Sequence, residues 1–588
     1  ARGTDFYKSF RDFLPPDEDN RTELSFHTAV FATGKIGEWL FTGAYNSDRT
    51  LNQKCDGTSG LFRDYQVCDR NYPVYGDSSK VEAVTPSQDS LYLRFERSTS
   101  IPGAEPDYVM WGDYDTKEFA RSSQEYTATS RNLHGFKANY NLGDFQLSLF
   151  YGDNVEGFQR DTIPPDGTSG FYFLSRRLLV PGSENISIEV EELNRPGTVL
   201  ARQQLVRGTD YDIDYDRGTL LFREPIFRTG VDDNGQVLVQ RVIATYQYES
   251  QEKDNRIYGG RVQYNISRQL NYESWIGATY LKEDHGIREF ELYGADAQIA
   301  ISDKIHLIAE YAHSQNDSEM MGEVSGSAYR LEAEGEITKG IQGRAYFRST
   351  DTGFSNNATT SFVPGQTRYG AQVTGQVAAK TNVRLQYDHE DNRGVAPQPL
   401  DNFTDLFSPR TEAVPGSNVD NSLTTITAGV QQQIGEANVT VDWVHRHRED
   451  RIEPNALNST SDQLRSRLQL PLTDTLTFLA QNELTLSNEE DAVYPDRTIL
   501  GLDWKVAPDL SIRLAQQFYT GGQNDGNSIT SLDFIGERKF GSDTVLNGRY
   551  SILNGGDGMT TQGAIGIKQG LTIAPGLKLD LGYEHVFG

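Results

Sequence analysis

The sequence predicts an all-β chain: a large antiparallel transmembrane β-barrel, about 24 strands in this segment, with a small inserted β-domain. Three observations lead there. Apolar and polar residues alternate singly, short and long connections alternate along the second half, and aromatics recur at one distance from the short turns. The composition agrees, with only 36 % hydrophobic residues in 588 but 11 % aromatics and 55 glycines. A polytopic helical membrane protein needs apolar runs of about 20 residues, and the sequence has none. Disorder would deplete Tyr, Phe, Val, Ile and Leu, which recur throughout. A net charge of −28 repels phosphate and excludes a nucleic-acid partner.

From the N-terminus, residues 1–21 read as a leading segment, and Ala1-Arg2-Gly3-Thr4 is no signal peptide. Residues 22–152 read as the first part of the barrel, with an external loop at 47–88. That loop holds the two cysteines, Cys55 and Cys68, in a polar stretch without CxxC or matching histidines, which disfavours zinc. The pairing expected there is a disulfide in an exported protein, worth about 3 kcal/mol for so small a loop. Two free thiols are the alternative. The first strand, Glu23 to Ala32, reads as running inward and the last, Leu577 to Phe587, as running outward. A complete barrel would return and finish inside, so the expectation is a segment of a longer chain.

Strand signals are plain on both sides of the middle. Phe145, Leu147, Leu149 and Tyr151 alternate with Gln146, Ser148 and Phe150; Ile305, Leu307, Ala309 and Tyr311 alternate with His306, Ile308 and Glu310. The same period of two holds for Val383–Tyr387, Ile426–Val430 and Leu510–Leu514. Short turns at Ser302-Asp303, Lys380-Thr381, Ile434-Gly435, Thr473-Asp474, Ala507-Pro508 and Phe540-Gly541 separate strand pairs. Between the pairs lie longer polar stretches: Ser314–Glu323, Asp351–Gln366, Asp391–Asn421, Glu449–Asp462, Ser487–Asp496 and Gly521–Asn527. Outer-membrane barrels sort their connections this way, short turns on the periplasmic side and long loops outside.

An aromatic girdle is expected at Tyr311, Tyr387, Trp443, Phe518 (with Tyr519), Tyr550 and Tyr583. Each follows its short turn by roughly six to ten residues, or about 16 to 26 Å of height in a tilted strand, near the rim of an apolar band of about 25 Å.

Residues 153–240 break the rhythm and read as an inserted small β-domain, on the external side or folded into the lumen; residues 241–588 resume the barrel. Within the insert, Asp212, Asp214 and Asp216 have the first spacings of a calcium loop, but the glycine is one position late and Arg223 stands at position twelve. A hairpin turning at Asp216-Arg217-Gly218, with Tyr211, Ile213 and Tyr215 on one face, is the favoured reading.

The string Gly208-Thr209-Asp210-Tyr211-Asp212-Ile213-Asp214-Tyr215-Asp216-Arg217-Gly218-Thr219-Leu220-Leu221-Phe222 resembles a small β-module of very large outer-membrane barrels, including the giant translocon of the type 9 secretion system. Tyr72-Pro73-Val74-Tyr75-Gly76-Asp77 resembles large surface proteins of Gram-negative bacteria that carry this module. An aromatic-Gly-Asp triplet recurs at Tyr75-Gly76-Asp77, Trp111-Gly112-Asp113 and Tyr151-Gly152-Asp153. The resemblance covers mainly residues 70–250 and implies a giant barrel at the cell surface.

Catalytic motifs are missing: there is no Gly-x-Ser-x-Gly, no His-Glu-x-x-His and no phosphate-cradling glycine loop. His445 and His447 share one strand face, which reads as a solvated strand end rather than a metal site. The sequence argues against an enzyme, with no cofactor expected beyond weakly bound calcium in acidic loops. What remains is the lumen. Inward positions Arg384, Gln386, Asp388, Gln431, Gln433, Glu483, Arg513 and Gln517 are polar, as a wide water-filled interior requires. The expected function is a wide outer-membrane conduit or translocation and assembly pore. The alternative is a surface scaffold or adhesin whose barrel anchors external loops and partner proteins. Expected partners are outer-membrane lipid and lipopolysaccharide, with a plug, lipoprotein or periplasmic protein in or below the lumen.

Overall fold

The computed structural model describes residues 28–47 and 91–587, apart from several connecting segments of which 398–414 is the longest. Residues 1–21, Cys55, Cys68 and the triplet Tyr75-Gly76-Asp77 lie outside the described residues.

Alternating side chains become strands in chain order. The first six are β1 (Ala29–Ile36), β2 (Trp39–Asn46), β3 (Leu91–Arg97), β4 (Asp107–Asp115), β5 (Asn132–Leu142) and β6 (Phe145–Asp153). Eight more follow: β7 (Gly157–Ile163), β8 (Gly170–Phe173), β9 (Asn185–Glu192), β10 (Val199–Gln204), β11 (Tyr211–Asp214), β12 (Thr219–Phe222), β13 (Thr229–Val231) and β14 (Val237–Tyr248). Next come β15 (Arg256–Ser267), β16 (Ser274–Asp284), β17 (Glu289–Ala300), β18 (Ile305–Ser318), β19 (Gly322–Thr338) and β20 (Ile341–Thr350). Then β21 (Gln366–Ala378), β22 (Thr381–Pro397), β23 (Pro415–Ile434), β24 (Ala437–Asp450), β25 (Leu457–Pro471) and β26 (Leu476–Thr485). Last are β27 (Arg497–Ala507), β28 (Leu510–Tyr519), β29 (Ser528–Phe540), β30 (Thr544–Gly555), β31 (Gly558–Ala574) and β32 (Leu577–Phe587).

Strands β1–β6 and β15–β32 form one antiparallel sheet of 24 strands, each paired with its neighbour in the chain except that β6 pairs directly with β15. Among the described residues β1 and β32 each pair on one side only.

Which face is dry decides the class. On β6, Phe145, Leu147 and Leu149 are 50, 41 and 41 % exposed, whereas Gln146 and Ser148 are 6 and 3 % exposed. Leu385 and Ile434 point outward in the same way, while Glu310, Glu483 and Gln517 are buried inside. A water-soluble sheet would bury the leucines and expose the glutamine. The inversion is that of a strand whose outer surface is solvated by hydrocarbon and whose inner surface is polar. The fold is therefore a large transmembrane β-barrel.

Tyr311, Tyr387, Trp443, Phe518 and Tyr583 are exposed on the outer face. The outer rings meet across strands: Tyr311 and Tyr329 at 5.2 Å, Phe347 and Tyr369 at 6.3 Å, Tyr369 and Tyr387 at 6.4 Å. Tyr550 stacks beside Phe587 at 5.7 Å. Tyr519 belongs to the other face, since adjacent strand residues point opposite ways; it is buried and its hydroxyl donates to Gln517.

Three expected loops are shortened by strand: β22 runs to Pro397 and β23 starts at Pro415 within Asp391–Asn421, β24 runs to Asp450 and β25 starts at Leu457 within Glu449–Asp462, and the third is Ser314–Glu323. Ser314–Glu323 is mostly strand, because β18 runs to Ser318 and β19 starts at Gly322. Its polarity marks a strand that continues beyond the apolar band, where both faces meet water or polar partners.

The two described aromatic-Gly-Asp triplets lie in one hydrogen-bonded row, with Gly112 opposite Gly135 and Gly135 opposite Gly152. Gly135 has φ +145°, and a Cβ there would stand 2.3 Å from the Tyr151 carbonyl oxygen. Only glycine fits that approach.

Between β6 and β15 the chain leaves the wall. Strands β7, β9, β10, β13 and β14 form one small sheet and β8, β11 and β12 another. They share a core that includes Ile163, Ile186, Ile213, Leu220 and Tyr246. The Asp216-Arg217-Gly218 turn joins β11 to β12 as a hairpin, with Gly218 at φ +66°. Tyr211, Ile213 and Tyr215 are buried on its inner side.

Candidate functional site: the inner wall and its two inward segments

Strands β4 and β5 are joined by residues 116–131, which turn inward through a short 3-10 helix at Lys117–Phe119. Phe119 and Tyr126 enter an apolar cluster with Tyr114, Phe150, Leu281, Leu292 and Phe354. The polar half of the segment meets the inner face of β16–β20. Glu310 accepts hydrogen bonds from the backbone N–H groups of Glu125 (2.9 Å) and Tyr126 (2.8 Å), and from the N–H and hydroxyl of Thr127 (3.4 and 2.9 Å). Glu125 in turn receives Arg330 at 2.9 Å and Arg348 at 3.0 Å. Ser123 donates to Asp296, which also holds Arg261, and Asn356 donates to the carbonyls of Tyr126 and Ala128. A carboxylate with four donors and a flanking guanidinium pins the segment to the wall.

The second inward segment is the insert. Its Ser169 N–H donates to Glu584 at 2.7 Å, and the Ser169 hydroxyl donates to the same carboxylate. Lys568 donates to the Arg223 carbonyl at 2.6 Å. Glu224 faces Glu537; partial enclosure, then that neighbouring carboxylate, raise the Glu224 carboxyl above the usual range. Glu537, Asn547, Gly566 and Glu584 are register partners in one row across β29–β32, so the footprint is contiguous. Inside the insert, burial pushes the Glu184 carboxyl up while Tyr211 and Tyr215 donate to it and Arg207 sits at 3.5 Å.

Of the inner-wall residues named from sequence, Asp388 receives Arg368 at 2.9 Å and the Tyr346 hydroxyl. Glu483 pairs with Arg497 at 2.5 Å, Arg497 reaches Gln517, and Arg513 lies 3.6 Å from Asp503. Gln386 is register partner of Gln372 and Thr427. Arg384 and Gln431 line a recess of about 770 Å³ on the inner face of β21–β26, and Gln433, one step toward the short turn, is exposed. Sequence reasoning missed Arg465 and Arg467 in that recess, and Arg446, which it left within a solvated strand end. It also missed Glu310, Asp296 and Arg330 as partners of the 116–131 segment. Their inward facing was legible from alternation; what they hold was not.

Metal sites find no support in the side chains. His445 and His447 contact Asp462 and Thr460, at 2.7 and 2.8 Å. Asp212 pairs with Arg223, and Asp214 accepts the turn amides of Asp216 and Arg217. Among the described residues no cluster of three or more metal-ligating side chains occurs.

No protein-family profile matches the sequence, and no curated protein matches it. Solved structures that it resembles include the P pilus usher PapC translocation pore, at 13 % identity and a TM-score of 0.35, over 92 % of this chain and 94 % of that one. The siderophore receptor PirA from Pseudomonas aeruginosa matches at 11 % and 0.32, over 78 and 72 % of the two chains. The FrpB iron transporter from Neisseria meningitidis matches at 10 % and 0.32, over 72 and 82 %. These scores are low, and the fold is read from this chain's own strand pairing and its inverted faces.

Proposed function

We propose that this protein is an outer-membrane barrel working as a conduit whose lumen is narrowed by two of its own segments. The observation that carries this reading is the inner wall. Residues 116–131 and the insert both fold against inward-facing side chains, and the wall of β21–β26 between their docking sites keeps an open polar recess. About 24 strands, if closed on themselves, would enclose a lumen far wider than side chains alone fill. Among the described residues the insert docks on β31 and β32 through Ser169 and Arg223, and the 116–131 segment docks on β16–β20 through Ser123, Glu125, Tyr126 and Thr127. The likeness of residues 208–222 to the type 9 translocon module supports a giant barrel more than it supports secretion, and the cargo proposed for so wide a lumen is a polypeptide, polymer or partner protein. Lipid and lipopolysaccharide would solvate the outer face.

Planar-bilayer recording tests the reading. The full chain is compared with a Lys568→Ala, Glu584→Ala variant, which loses the insert's direct contacts to β31 and β32. Larger or more frequent conductance steps in the variant support a plugged conduit. Silence in both, with folded barrels shown by heat-modifiable gel mobility, overturns it in favour of a surface scaffold.

A further inference from the structure

The chain is strongly acidic, yet the recess on β21–β26 is cationic: its lining holds Arg384, Arg446, Arg465 and Arg467 against one carboxylate, Asp442. Register explains how. Thr374, Arg384, Gly429, Asp442 and Arg465 form one row across five strands, and Asn382, Gln431, Thr440 and Arg467 form the row two residues nearer the short turns. Gly429 leaves the middle of the upper row without a side chain, and the Asp442 carboxylate occupies that space; a Cβ at 429 would stand 1.8 Å from its Oδ1.

Within the lining, one carboxylate faces four guanidinium groups. Asp442 reaches Arg465 only at 3.4 Å. Arg446 lies over the Tyr494 ring at 4.0 Å and donates to Gln463, and Arg467 donates to Gln481. Arg384 has no acceptor among the described residues, and the buried Nε–H groups of both Arg384 and Arg465 are unpartnered. Buried guanidinium donors without an acceptor are unfavourable, so an oxyanion entering the recess would meet donors ready to bind it. Guanidinium forks match oxyanions in bidentate geometry. The volume of about 770 Å³ falls within the range of small-molecule sites, about 300–1,000 Å³.

We propose that this recess binds a small organic anion bearing at least two oxyanion groups, phosphate or carboxylate. Arg384 and Arg465, at the two ends of the Arg384–Gly429–Asp442–Arg465 row, each take one of its oxyanion groups, and Tyr494 lines the recess beside them. The site goes beyond the conduit reading and is tested without flux. The detergent-solubilised full chain is titrated calorimetrically with pyrophosphate and, separately, citrate. Binding of pyrophosphate alone identifies a phosphate ligand, citrate alone a carboxylate, and both a site that reads charge; each supports the proposal if Arg384→Ala weakens binding tenfold or more. The exposed Arg538→Ala, at a short turn, serves as control and binds like wild type. The bound anion raises the unfolding temperature of the wild type but not of Arg384→Ala. That variant, relieved of an unpartnered buried donor, unfolds no lower than wild type in anion-free buffer. No heat with either probe up to about 10 mM, a range that still detects millimolar affinity, overturns the site. Undiminished binding by Arg384→Ala and Arg465→Ala also overturns it.

Discussion

Replacing Glu310 by Gln isolates what holds the 116–131 segment against the wall. The carboxylate accepts from three backbone N–H groups and the Thr127 hydroxyl. A glutamine amide keeps one carbonyl oxygen and turns an NH₂ group toward the remaining donors, so about two of these bonds are lost. Hydrogen bonds to a charged acceptor contribute about 1.5–3 kcal/mol each, and two make about 3–6 kcal/mol. At about 1.4 kcal/mol per tenfold, the segment's opening equilibrium shifts by about 10²- to 10⁴-fold. Native-state hydrogen exchange on the reconstituted full chain reads this at single amides. The Glu125, Tyr126 and Thr127 amides are expected to lose at least a hundredfold protection, while amides of β18 and β19 keep theirs. Unchanged protection of the Tyr126 amide would refute the assignment of Glu310 as the anchor.

Two further outcomes follow from the facing and from the insert's docking row. Leu385, 54 % exposed on the outer face, is expected to lose about 2–4 kcal/mol when changed to Arg, and Gln386→Arg to be tolerated; urea titration in lipid vesicles compares the two, and equal costs would contradict the facing. The Glu224 carboxyl is raised in the docked state, so its protonated form favours docking: the contribution is full below the ordinary glutamate pKa of about 4.3 and is lost as pH rises through the docked value. Hydrogen exchange of the insert, corrected for intrinsic rates, should show looser docking at neutral than at acidic pH, and Glu224→Gln should remove the difference.

The wall was legible because its physics is local. Every outward position along Phe145–Tyr151 must be apolar and every inward one need not be, so alternation alone reveals strand, facing and, repeated along the chain, a count near the 24 observed. The interior was not legible because its contacts are remote. Glu125 lies 185 residues from Glu310, and Ser169 lies 415 from Glu584. Nothing in Ser122-Ser123-Gln124-Glu125 distinguishes an inward segment from an external loop. Arg384 was named as lumen-facing, but the recess exists only because Gly429 and Arg465 share its row, and register is a property of the folded sheet. Ser314, Asn316 and Asp317 misled for a related reason: polar residues end the apolar band without ending the strand.

The junction of β6 with β15 has an architectural corollary. Asp153, where the wall is left, and Arg256, where it resumes, are cross-strand partners, and their pairing continues without a slip to Phe145 and Tyr264. A tight turn could therefore replace the entire excursion without disturbing the β6–β15 register. The wall's register is thus independent of the excursion, and the insert is an addition to the sheet on which its continuity does not depend.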